Sequence, residues 1–253
     1  MPPDSNLPLG RFHRRIQEKA DDPWAPPVLI VAFGDSVTQG ATVLDEFAHE
    51  DVYHARFKRL LEERYRQSTF SVINAGAGGQ TAPGALSLIE RDVIRHQPDL
   101  TLVSFGLNDV WAGLDGLHDF ASGMTEIIRQ VRDHTESELI LLTPNFMVTR
   151  EGPGVEPTLQ SLTRAAVDLQ RGGVLAAYAS AIRELGREHA LPCADNYGAW
   201  EELAAQGADV NLLLANGLNH PTADAHAIAA RLLMAIVMTA EATDESRDMT
   251  RPG

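Results

Sequence analysis

The sequence predicts a three-layer, doubly wound α/β domain of the flavodoxin-like kind, built on five strands in a mostly parallel sheet. Two observations predict it. Short apolar runs of strand length alternate with stretches whose apolar residues recur at helical spacing, and the alternation continues along most of the 253 residues. Most of the apolar runs also end directly in glycine or a turn-forming polar cluster. Strands alternating with helices give βαβ units, whose right-handed crossovers place helices on both faces of the sheet.

Val28-Leu-Ile-Val-Ala-Phe33 is a buried-strand run ended by Gly34, and Tyr53, Phe57, Leu60, Leu61 and Tyr65 then mark a helix. Phe70-Ser-Val-Ile73 is the second strand, ended by Gly76, Gly78 and Gly79. Leu86, Ile89 and Val93 read as one helix, stopped by Pro98. Leu100–Phe105 is the third strand, ended by Gly106, and Phe120, Met124, Ile127, Ile128 and Val131 form the next helical stripe. Leu139–Leu142 is the fourth strand, followed by a Gly/Pro-rich loop. Thr158–Ala190 is helical with a break at Gly172-Gly173, Leu191–Asn196 is a weaker fifth strand, and Ile228, Leu232, Ala235 and Ile236 mark the last helix. The expected organisation is a polar arm over residues 1–26, holding Phe12 and Ile16 as residues able to dock, one domain over 27–243, and a tail over 244–253.

Composition narrows the function. Acidic residues outnumber basic ones 35 to 21, a net charge of −14. That field repels phosphate backbones and anionic lipid, so neither nucleic acid nor a membrane is an expected partner. One cysteine, Cys193, excludes an internal disulfide and the multi-cysteine zinc patterns, and it reads as a small core residue. The first 27 residues hold no apolar leader and no long apolar run follows, so the expectation is a cytoplasmic protein.

In doubly wound folds, ligands bind outside the carboxyl ends of the strands. Here those ends read Gly34-Asp-Ser-Val-Thr-Gln-Gly40, Asn74-Ala-Gly-Ala-Gly-Gly-Gln-Thr81 and Gly106-Leu-Asn-Asp109. Ser36 offers a hydroxyl that becomes a nucleophile only with a base beside it and donors for the oxyanion it creates. The Gly79 N–H and the Asn108 amide are candidate donors, and His220, in a loop before the last helix, is the candidate base. Singly, each has an ordinary structural role as a turn, a cap or a loop residue. In this order, at successive strand ends, they point to acyl transfer.

With these motifs the chain resembles the SGNH, or GDSL-type, serine hydrolases, from about Val28 to the last helix. The resemblance implies that Ser36 is the nucleophile and His220 the catalytic histidine. It further implies an oxyanion hole made by the Ser36 and Gly79 N–H groups and the Asn108 side chain. It implies no cofactor and no metal, and an ester as the small-molecule substrate. One position departs from the family's pattern. The family carries an aspartate three residues before the histidine, where this sequence has Gly217, and the residue before that is Asn216. The partner that orients His220 is therefore open between Asn216, a backbone carbonyl, and Asp195, Asp209 or Asp224.

Other constellations carry less. Gly76-x-Gly78-x-x-Thr81 misses the third small residue of a dinucleotide fingerprint. His49 and His54 are five apart, about 140° around a helix, so they do not share a metal-binding face. His226 reads as the surface of the last helix. The expected function is hydrolysis of carboxylic esters with small acyl groups, O-acetyl on a carbohydrate among them, because no apolar lid is evident. The rivals are a non-catalytic binding protein on the same fold, which the missing acid favours, and a nucleotide-binding domain.

Overall fold

The structure is a computed structural model that describes residues 9–44 and 46–248, with only the backbone described over 242–248. The elements run α1 (Gly10–Asp21), β1 (Val28–Gly34), α2 (Ser36–Gln39), α3 (Tyr53–Arg64), β2 (Phe70–Gly76), α4 (Ala82–Ala85), α5 (Ile89–Asp92), β3 (Leu100–Ser104), α6 (Leu117–His134), β4 (Glu138–Leu142), α7 (Thr163–Arg171), α8 (Val174–Glu188), β5 (Cys193–Ala194), α9 (Asn196–Ala205) and α10 (Ala223–Asp248). The five strands form one sheet in the order β2-β1-β3-β4-β5, parallel throughout. This is the flavodoxin-like order, whose direction of winding switches between β1 and β3.

The pleat sorts the strand residues between two cores. Val31, Phe33, Val103, Leu139 and Leu141 face α6 and α8, where Met124, Ile127, Val131, Ala179 and Ile182 cover them. Ile30, Ala32, Leu100, Leu102, Ile140 and Leu142 face the opposite way, toward Phe57 and Leu61 of α3 and Leu233 and Val237 of α10. Burial on both faces explains why these strands read as continuous apolar runs.

Four local differences from the sequence reading have plain causes. The segment expected as a polar arm contains α1, whose Phe12 and Ile16 are buried in the second core. Arg11 and Arg15 each donate to Asp99 at 3.1 Å, and Asp99 accepts the Leu29 N–H at 2.9 Å, so the helix is tied to the start of the sheet. The single helix expected around Leu86–Val93 is broken into the short turns α4 and α5, although Ile89 and Val93 still reach the core. The stretch Ala223–Glu241 is apolar and long enough to cross a membrane by length and composition. In the fold its Ala229, Ala230, Leu233 and Val237 are buried in the core that α10 shares with α3. Finally, α10 continues to Asp248, so the segment expected as a tail is helical up to that residue, and the rest of it lies outside the described residues.

Candidate active site

The sequence clusters at the ends of β1, β2 and β3 come together at the switch point. Ser36 is the first residue of α2, directly after Asp35. Asp35 is buried, and its carboxylate accepts the Val37 N–H at 2.9 Å. Gly34 makes the turn possible: a Cβ there would lie 2.1 Å from Thr38 Oγ1 and 2.5 Å from the Ser104 carbonyl oxygen. Burial, reinforced by the nearby charge of Asp109, pushes the Asp35 carboxyl up to about 7.

His220 reaches Ser36 from a loop 184 residues away, with Nε2 3.0 Å from Ser36 Oγ. Its Nδ1 lies 3.0 Å from the Thr42 carbonyl oxygen. A carbonyl only accepts, so Nδ1 carries the proton and donates it there. Nε2 of the neutral ring is then free to accept from the Ser36 hydroxyl. Burial holds the imidazole below its ordinary pKa, against the Thr42 bond and the negative charge of Glu156, which both push it up. The neutral form that a general base requires is thereby favoured.

Of the partners left open for His220, the Thr42 carbonyl is the one in contact. Asn216 makes no hydrogen bond to the ring, whose two nitrogens are taken by Thr42 and Ser36. It is buried, and its Oδ1 accepts the backbone N–H groups of Leu218, Asn219 and His220 at 2.9–3.0 Å, while its Nδ2 donates to Asn219 Oδ1 at 3.1 Å. It therefore shapes the loop that carries the histidine. Asp195 caps α9 and binds Thr143 and Arg183, and Asp209 pairs with Arg150. Asp224 sits in the first turn of α10.

Gly217, at the family's acid position, shows why no aspartate stands there. Its φ is +69°, and a Cβ would meet the Gly154 carbonyl oxygen at 2.1 Å and Val155 Cα at 2.7 Å. The loop after β4 is laced onto the histidine loop at this point, through Val148 N–H to the Leu218 carbonyl at 2.7 Å and Glu156 N–H to the Asn216 carbonyl at 3.0 Å. No side chain fits between the two backbones.

Ser36, His220, Gly79 and Asn108 all line one cleft of about 410 Å³. Gly79 lies at φ +74° in the turn after β2, and Asn108 Nδ2 donates to the Gln80 carbonyl at 3.0 Å. Asp109 binds these turns together: buried, it accepts the Ala82 N–H at 2.8 Å and the Gly106 N–H at 3.0 Å. Glu156 completes one wall, with Oε2 accepting the Leu44 N–H at 3.2 Å. Sequence reasoning did not single out Glu156, which follows an aperiodic loop with no local signal. It also missed the apolar rim. Leu44, Phe47, Trp111 and Leu162 are exposed around the cleft, scattered over more than a hundred positions, so no run betrays them.

Two of the remaining histidines serve the core. His226 is buried rather than on the helix surface, because it answers a need of α3: Tyr53 N–H, in the helix's first turn with no acceptor inside it, donates to His226 Nδ1 at 3.3 Å. His54 is also buried, 3.0 Å from the Thr38 carbonyl, whereas His49 is exposed and stacks on Phe47. Among the described residues, no three His, Cys, Asp or Glu side chains converge as a metal site would require. Cys193 is half-buried in β5, and burial pushes its thiol up to about 12.

The model of the GDSL-like lipase/acylhydrolase family matches residues 32–228, from β1 into α10 and through every motif above. The chain belongs to this family. It is an esterase. Among curated proteins, the esterase is 24% identical over 202 residues to an uncharacterized lipoprotein, YqeF, of Bacillus subtilis, covering 76% of this chain and 80% of that one. It is 25% identical over 121 residues to an acetylxylan esterase of Geobacillus stearothermophilus, covering 44% and 55%. A crystal structure of an acetylxylan esterase from that organism superposes with a TM-score of 0.64 at 22% identity, over 83% of this chain and 93% of the other. Variants of that enzyme described as catalytic mutants change a serine, a histidine and an aspartate three residues before the histidine. A two-domain esterase active on acetylated mannans superposes at 0.66 with 19% identity, over 93% of this chain and 55% of the other. The cytoplasmic expectation does not stand beside the Bacillus relative, which is named a lipoprotein. A lipid anchor attaches outside the folded domain, so the composition of that domain does not exclude one.

Proposed function

We propose that this esterase works through an acyl-enzyme on Ser36 and acts on O-acetyl groups of a carbohydrate. The observation that carries the mechanism is the 3.0 Å approach of Ser36 Oγ to His220 Nε2, with the ring's other nitrogen tied to the Thr42 carbonyl. As the Ser36 oxygen attacks the acyl carbon, His220 takes its proton, and the oxyanion is held by the Ser36 and Gly79 N–H groups and the Asn108 amide. His220 then gives the proton to the departing alcohol oxygen. In the second half, His220 takes a proton from water, the hydroxide adds to the acyl carbon, and Ser36 leaves with that proton as the acid is released.

The substrate assignment is supported by the relatives named for acetylated xylan and mannan, and by Phe47 and Trp111 at the rim, whose flat faces suit the apolar face of a sugar ring. A second reading, a longer acyl chain, is favoured by the rim residues Leu44, Leu159 and Leu162. Comparing kcat/KM for acetylated xylooligosaccharides with that for p-nitrophenyl acetate and octanoate separates the two: preference for octanoate overturns the carbohydrate reading. For the mechanism, Ser36→Ala is expected to abolish turnover and to prevent labelling by a phosphonate seen in intact-mass spectra. Turnover above about a tenth of the parent, a barrier change below ~1.4 kcal/mol, overturns Ser36 as nucleophile. No Ser36-dependent turnover on any of these esters favours the binding-protein alternative.

A further inference from the structure

Among the described residues no carboxylate is bonded to the site's histidine, yet a carboxylate stands close by. Glu156 lies in the wall of the cleft beside His220, at the end of the loop that occupies the space where an acid at position 217 would have to go. Its backbone N–H donates to the Asn216 carbonyl at 3.0 Å, so it is joined to the histidine loop on one side. Its Oε2 accepts the Leu44 N–H at 3.2 Å, so it is joined to the hairpin of Ala41 and Phe47 on the other. That hairpin supplies the Thr42 carbonyl that receives the Nδ1 proton, and Thr42 is itself held by its N–H to the Glu46 carbonyl at 3.0 Å.

We propose that Glu156 is the acid of this site, a positioning residue that pins the Thr42 hairpin against the imidazole and sets a negative charge beside His220 without touching it. The proposal rests on His220 being the base. The carbonyl dipole of Thr42 fixes the tautomer, which is the geometric half of what an aspartate on Nδ1 does. It adds no net charge to stabilise the imidazolium formed during catalysis, and Glu156 contributes that half from across the hairpin. Among the described residues, the other titratable groups around the ring are Glu46 in the cleft wall, His226 on α10 and Asp35 behind Ser36. The carboxylate of Asp35 is turned to the Val37 N–H. Of all these, Glu156 is the one whose charge raises the His220 pKa against burial.

Glu156→Gln separates charge from geometry, because the amide oxygen can still accept from Leu44 N–H. We expect kcat to fall on the order of tenfold, the scale for one charge lost beside a partly buried ion. With the charge gone the imidazolium is less favoured, so the acidic limb of kcat/KM moves to lower pH. Glu156→Asp is expected to recover part of the pH shift. An independent reading uses the Ser36→Ala protein with labelled histidine: the NMR titration of His220 is expected to move to lower pH when Glu156→Gln is added. An unchanged titration and an unchanged acidic limb overturn the proposal, as does a shift produced by Glu46→Gln and not by Glu156→Gln. Failure of the underlying mechanism looks different, because it is loss of Ser36-dependent turnover in the parent, whereas the NMR titration needs no turnover.

Discussion

Installing the aspartate that the family carries three residues before the histidine is the substitution that sequence comparison recommends, and the structure predicts that it fails. In Gly217→Asp the new Cβ lies 2.1 Å from the Gly154 carbonyl oxygen and 2.6 Å from its carbon, at a φ of +69°. The left-handed conformation costs a residue with a Cβ about 1–2 kcal/mol. Relief of the overlap requires the Gly154–Val155 backbone to retreat by about 1.3 Å to ordinary contact, and overpacking of this kind costs about 1–3 kcal/mol. Together these give a loss of roughly 2–5 kcal/mol, a large share of the ~5–15 kcal/mol that holds a domain folded, and a fall in Tm of about 4–20 °C for a chain of this size. The retreat also moves Glu156 and the 3.0 Å bond from its N–H to the Asn216 carbonyl, so the imidazole shifts away from Ser36. Displacement of a catalytic group by about 1 Å costs on the order of 10² in kcat. Gly217→Ala is the control, carrying the Cβ without the carboxylate, and is expected to lose nearly as much stability. Calorimetric melts and p-nitrophenyl acetate kinetics on both variants check this. A Gly217→Asp protein melting within about 2 °C of the parent, with equal or higher kcat, refutes the steric reasoning.

Three further outcomes are expected. Asn216→Ala strips the acceptor from three buried-loop N–H groups, and denaturant unfolding should show a loss of about 2–4 kcal/mol together with reduced kcat, whereas a loss below ~0.5 kcal/mol would remove Asn216 as the loop's organiser. Asn108→Ala should lower kcat about 10²–10³-fold with the melting curve preserved, and a change under about fivefold would take its amide out of the oxyanion hole. Asp35 has a folded value of about 7 against an ordinary 3.8, so its contribution to stability is present at acid pH and is lost as pH rises through 7. Asp35→Asn keeps the acceptor for Val37 N–H and removes this dependence. Its stability relative to the parent should therefore rise between about pH 4 and pH 7 in denaturant melts, and a flat difference would contradict the buried, proton-holding carboxyl.

The sequence by itself determined the layers of this fold and the positions of the residues that line its cleft. Buried parallel strands must be apolar on both faces, so the runs at Val28–Phe33 and Leu100–Phe105 stand out. The chain must turn at the end of each run, so Ser36, Gly79 and Asn108 are marked by the glycines beside them. The site of such a fold lies at its strand ends, which is why three local motifs and one distant histidine sufficed to find the cleft. Helical spacing was a poorer guide where turns intervene, as in the broken segment α4–α5, and it missed the inward face of His226, whose role is to satisfy an N–H of another helix. What only tertiary structure decided is how the histidine is held. A backbone carbonyl has no side-chain signature, so Thr42 is invisible in the sequence, and the apolar rim gathers Leu44, Phe47, Trp111 and Leu162 from separate loops. The glycine at 217 looks like a missing acid until the Gly154 backbone is seen against it. The physical reason is the same in each case: a hydrogen bond or a steric limit between residues far apart in the chain depends on where the packed elements put their backbones, and no local pattern encodes that position.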